Sequence, residues 1–343
     1  MLTDVFVNRY DGTMIWTSYG ENARRFMVQA TKMVTEQLFP FYINGEINKP
    51  AKESLERIHN KLAMEIGIDP LSPLFLGSYR HTIADVLKNF LQREFEDGFD
   101  PDVYIKRRIS LVELAFREYG DQVQAANRAL PGKVSDVEYG VGLAGLAKSL
   151  KLPEFTKEFL SKQNEALNQR WAANFDELNE RFRQAKFPLS YHNGFVQLSS
   201  DALVDKTIEK PFWELVADVR WENVQNDMLR AVDQRDTGDR DASLSAARAL
   251  ESTIKIISGM NNWTHGKENG ASSYIDNLVS QKNGRFIDVW EGEILKAFFS
   301  KVRNPLGHGP GDEPMPALTF EQTSWAIETC MSWIKSLVSR IKH

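Results

Sequence analysis

The sequence predicts an all-α protein that divides into three parts. A helical amino-terminal domain covers residues 1–186, a short β-hairpin with a connecting helix covers 187–220, and a helical bundle covers 221–343. Apolar residues recur at helical spacing through most of the chain, which is the main basis of this prediction. The 343 residues, of which 42% are hydrophobic and 26% are charged, are also enough for two packed domains.

Two amphipathic helices are predicted in the amino-terminal domain, over residues 21–39 and 102–118. The second follows a breaker cluster, with Asp100 as the predicted N-cap and Pro101 as the first helical residue. The expected buried positions are Met27, Ala30, Val34 and Leu38 in the first helix and Ile105, Ile109, Val112 and Phe116 in the second.

A glycine motif between Gly140 and Gly145 matches the dinucleotide-binding pattern G-x-G-x-x-G. That pattern acts only between a strand and a helix, where it brings backbone N–H groups to a pyrophosphate. Here Ser135 and Glu138 form a predicted capping box, so the glycines are expected inside or beside a helix. The sequence therefore predicts no nicotinamide cofactor.

The predicted hairpin has Asn193 and Gly194 between two alternating segments, and it is the only β structure of note that we expect. Asn-Gly supplies the two positive φ angles that a two-residue turn requires. Helical patterning resumes at Asp201, with a looser segment expected over 233–241.

The bundle is predicted to contain about five helices, among them helices over 241–258, 272–281 and 288–301. The first is expected to be a core helix, and Thr319 with Gln322 is expected to cap the last. The expected buried positions are Leu244, Ala247, Leu250, Ile254 and Ile257 in the first and Ala326, Cys330, Ile334, Leu337 and Ile341 in the last.

Charge and composition limit the partners that we expect. The net charge is −5, from 42 Lys and Arg against 47 Asp and Glu, so contact with nucleic acid has to be local. The lone cysteine, Cys330, forms no internal disulfide, and the first residues lack the regions of a signal peptide. No window contains the roughly 18 apolar residues of a membrane span. We expect a soluble cytoplasmic protein with no membrane partner.

Metal sites and the common enzyme motifs are not predicted. A metal site needs several ligands at short spacing, and neither the lone cysteine nor the scattered histidines provide that spacing. The sequence contains no P-loop, no G-x-S-x-G and no kinase motif set. The histidines are His59, His81, His192, His265, His308 and His343.

The segment from Arg303 to Gly311 has the composition of a phosphodiester site. Arginine is a permanent planar cation that suits phosphate, and histidine moves protons near neutral pH. Gly307 and Gly309 flank His308 and allow the backbone to approach a ligand. The alternative interpretation is an ordinary helix C-cap, in which glycine and proline end a helix.

Two separated motifs resemble the HEPN domains of antiphage and toxin ribonucleases. Arg303, Asn304 and His308 resemble the R-x(4–6)-H signature, and residues 247–255 resemble the "AR-LES--K" stretch of the abortive-infection carboxy-terminal type. Residues 307–311 also resemble its "GHGxG" ending. Residues 6–12 and 191–194 resemble the AbiJ-type amino-terminal domain that often precedes this HEPN domain.

The resemblance implies a metal-independent endoribonuclease in which two HEPN domains form a homodimer around one cleft. His308 would be the general base or acid, Arg303 would stabilise the transition state, and Asn304 would orient phosphate or His308. The substrate would be RNA, with tRNA a candidate. Pro305 stands where relatives often carry lysine, and the Arg-to-His spacing is shorter than is common. The supporting residues would be Glu251, Arg248, Gly307 and Gly309.

Two other functions remain open from the sequence. The bundle could be a non-catalytic RNA-binding or protein-binding dimerisation module, with Arg303 and His308 structural. It could also be a nucleotide-binding regulator that uses the same two residues. The sequence specifies neither a regulatory partner nor the trigger.

Overall fold

The computed structural model describes residues 5–74, 81–96, 98–143, 152–199, 202–307 and 318–341. These residues form two compact units that divide between Val196 and Gln197. Helices dominate both units, which confirms the predicted all-α class. The division of residues 187–220 from their neighbours as a separate segment stays a prediction.

The amino-terminal unit is built from helices with two small hairpins. Its helices are α1 (Phe6–Arg9), α2 (Glu21–Lys32), α3 (Lys49–Ile66), α4 (Ile83–Gln92), α5 (Pro101–Leu143) and α6 (Leu152–Gln184), and its strands are β1 (Tyr42–Ile43), β2 (Glu46–Ile47), β3 (Leu189–His192) and the first half of β4 (Phe195–Leu198). The predicted helix over 21–39 is confirmed as far as Leu38, although Met33–Leu38 form a π-helix. All eight predicted core positions of this unit are buried.

Asparagine–glycine pairs form the turns of both hairpins. Asn193 and Gly194 have φ angles of 50° and 90°, as the predicted turn requires. The hairpin β1–β2 was not predicted, although Asn44 and Gly45 carry the same signal, with φ angles of 52° and 83°. Its strands are only two residues long, so alternation could not reveal them.

Helix α5 is much longer than predicted. Asp100 caps it as expected, because its Oδ1 accepts a hydrogen bond from the Asp102 N–H at 2.8 Å. The helix then continues through Pro131 to Leu143, so the predicted capping box is wrong, since Ser135 lies inside α5. Gly140 and Gly142 lie in the same helix, whereas Gly145 is outside the described residues.

Packing of α6 along α5 explains how the helix survives an internal proline. Proline costs an isolated helix about 3 kcal/mol, and contacts with a second helix offset that cost. Asn127 of α5 donates a hydrogen bond to Asn168 of α6 at 2.9 Å and accepts one from Asn164 at 2.7 Å. Apolar side chains of both helices line the gap nearby: Ala126, Leu130, Leu160 and Leu167.

A buried ion network holds the second hairpin against α5. Glu113 is fully buried, and its carboxylate accepts hydrogen bonds from Arg9 at 2.6 Å and Arg117 at 2.9 Å. The same carboxylate accepts the Val196 N–H at 2.8 Å. Both guanidinium groups also lie over the Phe195 ring, at 5.0 and 4.1 Å from its centroid. One carboxylate therefore joins α1, α5 and β4.

The carboxy-terminal unit is a helical bundle around α10. Its helices are α7 (Ala202–Val204), α8 (Lys210–Leu215), α9 (Glu222–Asp236), α10 (Ala242–Met260), α11 (Ala271–Val279), α12 (Val289–Phe298), α13 (Asn304–Gly307) and α14 (Phe320–Ile341), with π-helical segments at Asp205–Glu209 and Phe299–Arg303. Helix α10 packs against α9 and α14 and also touches α11. Its five predicted core positions are all buried.

The predicted helix boundaries of this unit are close to the observed ones. The Thr319 N–H donates to Gln322 Oε1 at 3.0 Å, and the Gln322 N–H donates to Thr319 Oγ1 at 3.3 Å, which confirms the capping box. Four of the five predicted core positions of α14 are buried, and Ile341 is partly exposed. The loose segment is shorter than predicted, because α9 continues to Asp236.

Close packing of α11 and α12 depends on Gly292. A Cβ at this position would lie 2.5 Å from Val279 Cγ2, so the Val279 side chain or one of the two helices would have to shift. We expect Gly292→Ala to lower the free energy of unfolding by about 1–3 kcal/mol. Gly259→Ala is the control, because that helical glycine faces open space; it should leave stability unchanged or raise it. Equal urea midpoints for both variants would contradict the prediction.

A second stabilising contact joins the start of α12 to the end of α14. Arg340 donates to both carboxylate oxygens of Glu291, at 2.6 and 3.2 Å. The hydrogen bond from Arg340 is the main reason why the pKa of Glu291 lies below its ordinary value. The Asp288 N–H donates to the same carboxylate at 2.8 Å.

Stability should therefore fall in acid as Glu291 takes up a proton. A carboxyl with a lowered folded-state pKa stabilises the fold above its unfolded pKa, and this contribution is lost as the pH falls through the folded value. We expect Glu291→Gln to lower the free energy of unfolding by about 1–3 kcal/mol at pH 7. At a pH below both the folded and the unfolded pKa of Glu291, the variant should lower it by almost nothing. Urea unfolding across this pH range measures how the loss of unfolding free energy depends on pH. The control is Glu293→Gln, because Glu293 is exposed. A pH-independent loss would contradict the assignment.

Candidate functional site

A cleft of about 460 Å³ lies in the carboxy-terminal unit, between α10, the start of α11 and the end of α12. Its volume is typical of ligand sites. Three residues predicted from the sequence line it, namely Glu251, Arg303 and Asn304. The other lining residues are Asn269, Gly270, Ala271, Ser272, Lys296, Ala297, Phe299 and Ser300.

Arg303 reaches the cleft from the π-helical segment that extends α12. The wider π-helical turn changes the direction of successive side chains, and such turns are common at functional sites. Buried Phe299 anchors the segment, while Arg303 keeps 30% of its side chain exposed. Its Nη1 lies 3.3 Å from Asn304 Oδ1, and no described residue accepts a hydrogen bond from its buried Nε. The exposed part of the guanidinium is available to a ligand in the cleft.

Glu251 supplies a carboxylate on the α10 side of the cleft. Its Oε2 lies 3.9 Å from Arg303 Nη2, and its Oε1 lies 2.8 Å from Lys255 Nζ. The first distance is an ion contact without a close hydrogen bond, so Glu251 can orient Arg303 without occupying all of its donors. Lys255 partly balances the negative charge, which limits its repulsion of an anionic ligand.

The other predicted site residues lie elsewhere or outside the described part of the chain. Arg248 is exposed on α10 and is not among the residues that line the cleft. Burial raises the pKa of Asp227, and the positive charge of Arg248 partly offsets that rise, which places Arg248 near α9. Gly307 ends α13. His308 and Gly309 lie outside the described residues.

The first turn of α11 lines the cleft and was missed by the sequence analysis. Gly270 precedes this helix with a φ of +83°, and its missing side chain provides no N-cap hydrogen bond. The backbone N–H groups of the first turn are therefore available to the cleft. The signal for this helix start in the sequence was Gly270 followed by a short apolar pattern, because glycine is an accepted N-cap residue.

The loop before α11 is held by Glu268. Its Oε1 accepts the His265 N–H at 2.6 Å and the Asn277 side-chain amide at 3.2 Å. Backbone hydrogen bonding from His265 is the main reason why the pKa of Glu268 is lowered to about 2. These bonds fix the loop that leads into the cleft.

An apolar surface continues from the cleft along α12. Trp290 is 60% exposed and Ile294 is 48% exposed, one helical turn apart, and Ala297 continues this surface into the cleft. Trp325 of α14 is 55% exposed and lies near Phe298, with ring centroids 6.2 Å apart. We call Trp290, Ile294 and Trp325 the α12–α14 patch. Trp290 therefore lies at the protein surface and not in the core.

The described residues contain no group of three or more His, Cys, Asp or Glu side chains placed to hold a metal ion. In the same part of the chain, no helix combines the length and the apolar character of a membrane span.

Comparison with known families identifies the amino-terminal part. Residues 4–214 match the family model described as AbiJ N-terminal domain 4. The chain belongs to the AbiJ N-terminal domain 4 family. This confirms the AbiJ-type resemblance and indicates an abortive-infection defence context. No curated protein and no solved structure matches the chain.

The AbiJ N-terminal domain match ends before the cleft. It includes all of the amino-terminal unit from residue 4 and reaches α8, whereas the lining residues begin at Glu251. The family match therefore includes none of the residues that line the cleft.

Proposed function

We propose that this protein is a metal-independent endoribonuclease of abortive-infection defence and that its carboxy-terminal unit is a HEPN-like domain. The observation that carries the proposal is the cleft in which Arg303 and Asn304 meet Glu251 of α10. Both sequence stretches that resemble HEPN motifs contribute to this cleft, although Glu251 and Arg303 are far apart in the chain. The resemblance adds His308, which follows directly after α13.

The proposed reaction needs a cation and a proton-transfer group beside one phosphodiester. His308 takes the proton of the ribose 2′-hydroxyl, whose oxygen attacks phosphorus as the bond to the 5′ oxygen breaks. The leaving 5′ oxygen takes a proton from water, and a 2′,3′-cyclic phosphate remains. Arg303 stabilises the negative charge on the phosphoryl oxygens with its planar donors. Asn304 orients Arg303 or the phosphate.

The proposed active form is a homodimer that pairs through the α12–α14 patch. Large exposed apolar residues in one place mark interaction surfaces. The patch borders the cleft through Ala297, so a second copy docked there would lie beside the cleft.

The test is cleavage of total RNA and of purified tRNA by the purified chain in EDTA. Cleavage is expected to persist in EDTA, and light scattering of the same sample is expected to give the mass of a dimer. RNA binding without cleavage would reject the nuclease and favour the interaction module. Nucleotide binding without cleavage would instead favour the regulator.

A further inference from the structure

We propose that the cleft has a second phosphate subsite, formed by Lys296 and the first turn of α11, so that it takes a single-stranded polynucleotide with successive phosphates. This inference rests on the proposed function and specifies its substrate. Four groups carry it: Lys296, Ser300 and Arg303 along one wall, and the backbone of Gly270–Ser272 opposite.

Spacing along α12 separates the two cations enough for more than one phosphate. Lys296 lies in α12 and Arg303 lies at the end of its π-helical extension, about two turns further along the chain. Ser300 lies between them and faces the same cleft, so a hydroxyl donor is available along the path. A single phosphate would engage only one end of this wall, whereas a polynucleotide backbone would engage both.

The opposite wall also favours an anion. The first residues of α11 line the cleft, and no side chain among the described residues caps this helix. The partial positive charge of the helix amino terminus adds to that of Lys296 and of Arg303, whose Nε has no acceptor among the described residues. These donors surround the cleft from two elements.

Two carboxylates lie near these groups, and their negative charge opposes the binding of an anion. Glu251 is shared between Lys255 and Arg303. Asp276 of α11 lies 2.5 Å from Lys296 Nζ, and both side chains of this pair are well exposed. Exposed ion pairs are weak, so a phosphate can replace Asp276 as the partner of Lys296.

The test measures binding of a fluorescein-labelled single-stranded DNA oligonucleotide to the full chain by anisotropy. DNA lacks the 2′-hydroxyl, so binding is measured without the cleavage step. We expect Lys296→Gln to raise Kd about tenfold and to reduce the slope of log K against log salt by about 0.7. Lys301→Gln is the control, since this exposed lysine is near Arg303 but does not line the cleft.

A second variant separates binding from helix stability. Ser272→Asp adds a negative charge in the first turn of α11, which favours the helix but repels a phosphate. We expect unchanged or raised thermal stability together with a Kd about tenfold higher. Wild-type affinity in either variant, an equal loss in Lys301→Gln, or no oligonucleotide binding by the wild type would overturn the subsite.

The subsite and the nuclease can fail separately. Binding that depends on Lys296 without any RNA cleavage would reject the nuclease and support the subsite. RNA cleavage with normal oligonucleotide binding by Lys296→Gln would support the nuclease and reject the subsite.

Discussion

Arg303→Ala is expected to reduce metal-independent RNA cleavage by about 10²–10³-fold. In the proposed mechanism the guanidinium stabilises charge that develops at phosphorus, and alanine removes every donor. His308→Ala is expected to reduce the rate by about 10²–10⁴-fold, because it removes the proton-transfer group. Single-turnover cleavage of tRNA in EDTA measures both losses.

The fold should survive the loss of Arg303. This side chain is partly exposed, and Glu251 keeps its closer contact with Lys255 at 2.8 Å. The matched control is Lys301→Ala, which removes an exposed cation two residues away and should retain wild-type activity and stability. Arg303→Lys keeps the charge without the planar donors and should give an intermediate rate. Full activity of Arg303→Ala would exclude it from catalysis.

Growth provides an independent measurement of the same prediction. Overexpression of the wild-type chain is expected to arrest growth, and both His308→Ala and Arg303→Ala are expected to relieve the arrest. Arrest that persists in both variants at equal protein levels would reject the nuclease. The toxic effect would then come from another property of the chain, as the interaction module predicts.

Glu113→Ala is expected to lower the free energy of unfolding by about 3–5 kcal/mol, a large part of the total stability of an ordinary domain. The variant leaves the buried Arg9 and the partly buried Arg117 around the vacated carboxylate position, and the Val196 N–H loses its acceptor. An uncompensated buried charge is far more costly than a lost surface pair. We expect the melting temperature to fall by about 6 °C or more.

Glu118→Ala is the matched control for this loss. Glu118 lies on the same helix and also pairs with an arginine, Arg57, at 2.7 Å. Both partners of that pair are partly exposed, so its loss should cost about 1 kcal/mol or less. If Glu113→Ala is insoluble, Glu113→Gln, which keeps one acceptor oxygen, should fold with intermediate stability. Equal losses for Glu113→Ala and Glu118→Ala would show that the buried network stabilises the fold no more than an exposed ion pair does.

Local signals explain which parts of the fold could be predicted. Asp100, Thr319 and the Asn193–Gly194 pair each act on backbone groups within three residues, and all three have the predicted structure. Periodicity likewise identified the buried face of α10. Local reasoning failed at Ser135, because packing of α6 along α5 carries that helix through Pro131.

Part of the candidate site was also visible in the sequence. Arg303, Asn304 and Glu251 were identified by their chemistry and by the HEPN resemblance, and the fold brings them to one cleft. Lys296 and the first turn of α11 were not identified, because a lysine and a glycine before a helix have many ordinary surface roles. Only their position in the same cleft as Arg303 makes them notable.

The sequence by itself determined the helical class, the helix caps, the hairpin turn and the residues with suitable chemistry. These depend on spacing and on side chains acting within a few residues of their own backbone. The tertiary structure decided that Glu251 faces Arg303, that Glu113 holds β4, and that Trp290 is exposed. Such contacts join distant segments, and their existence depends on how whole helices pack, which no short window of sequence specifies.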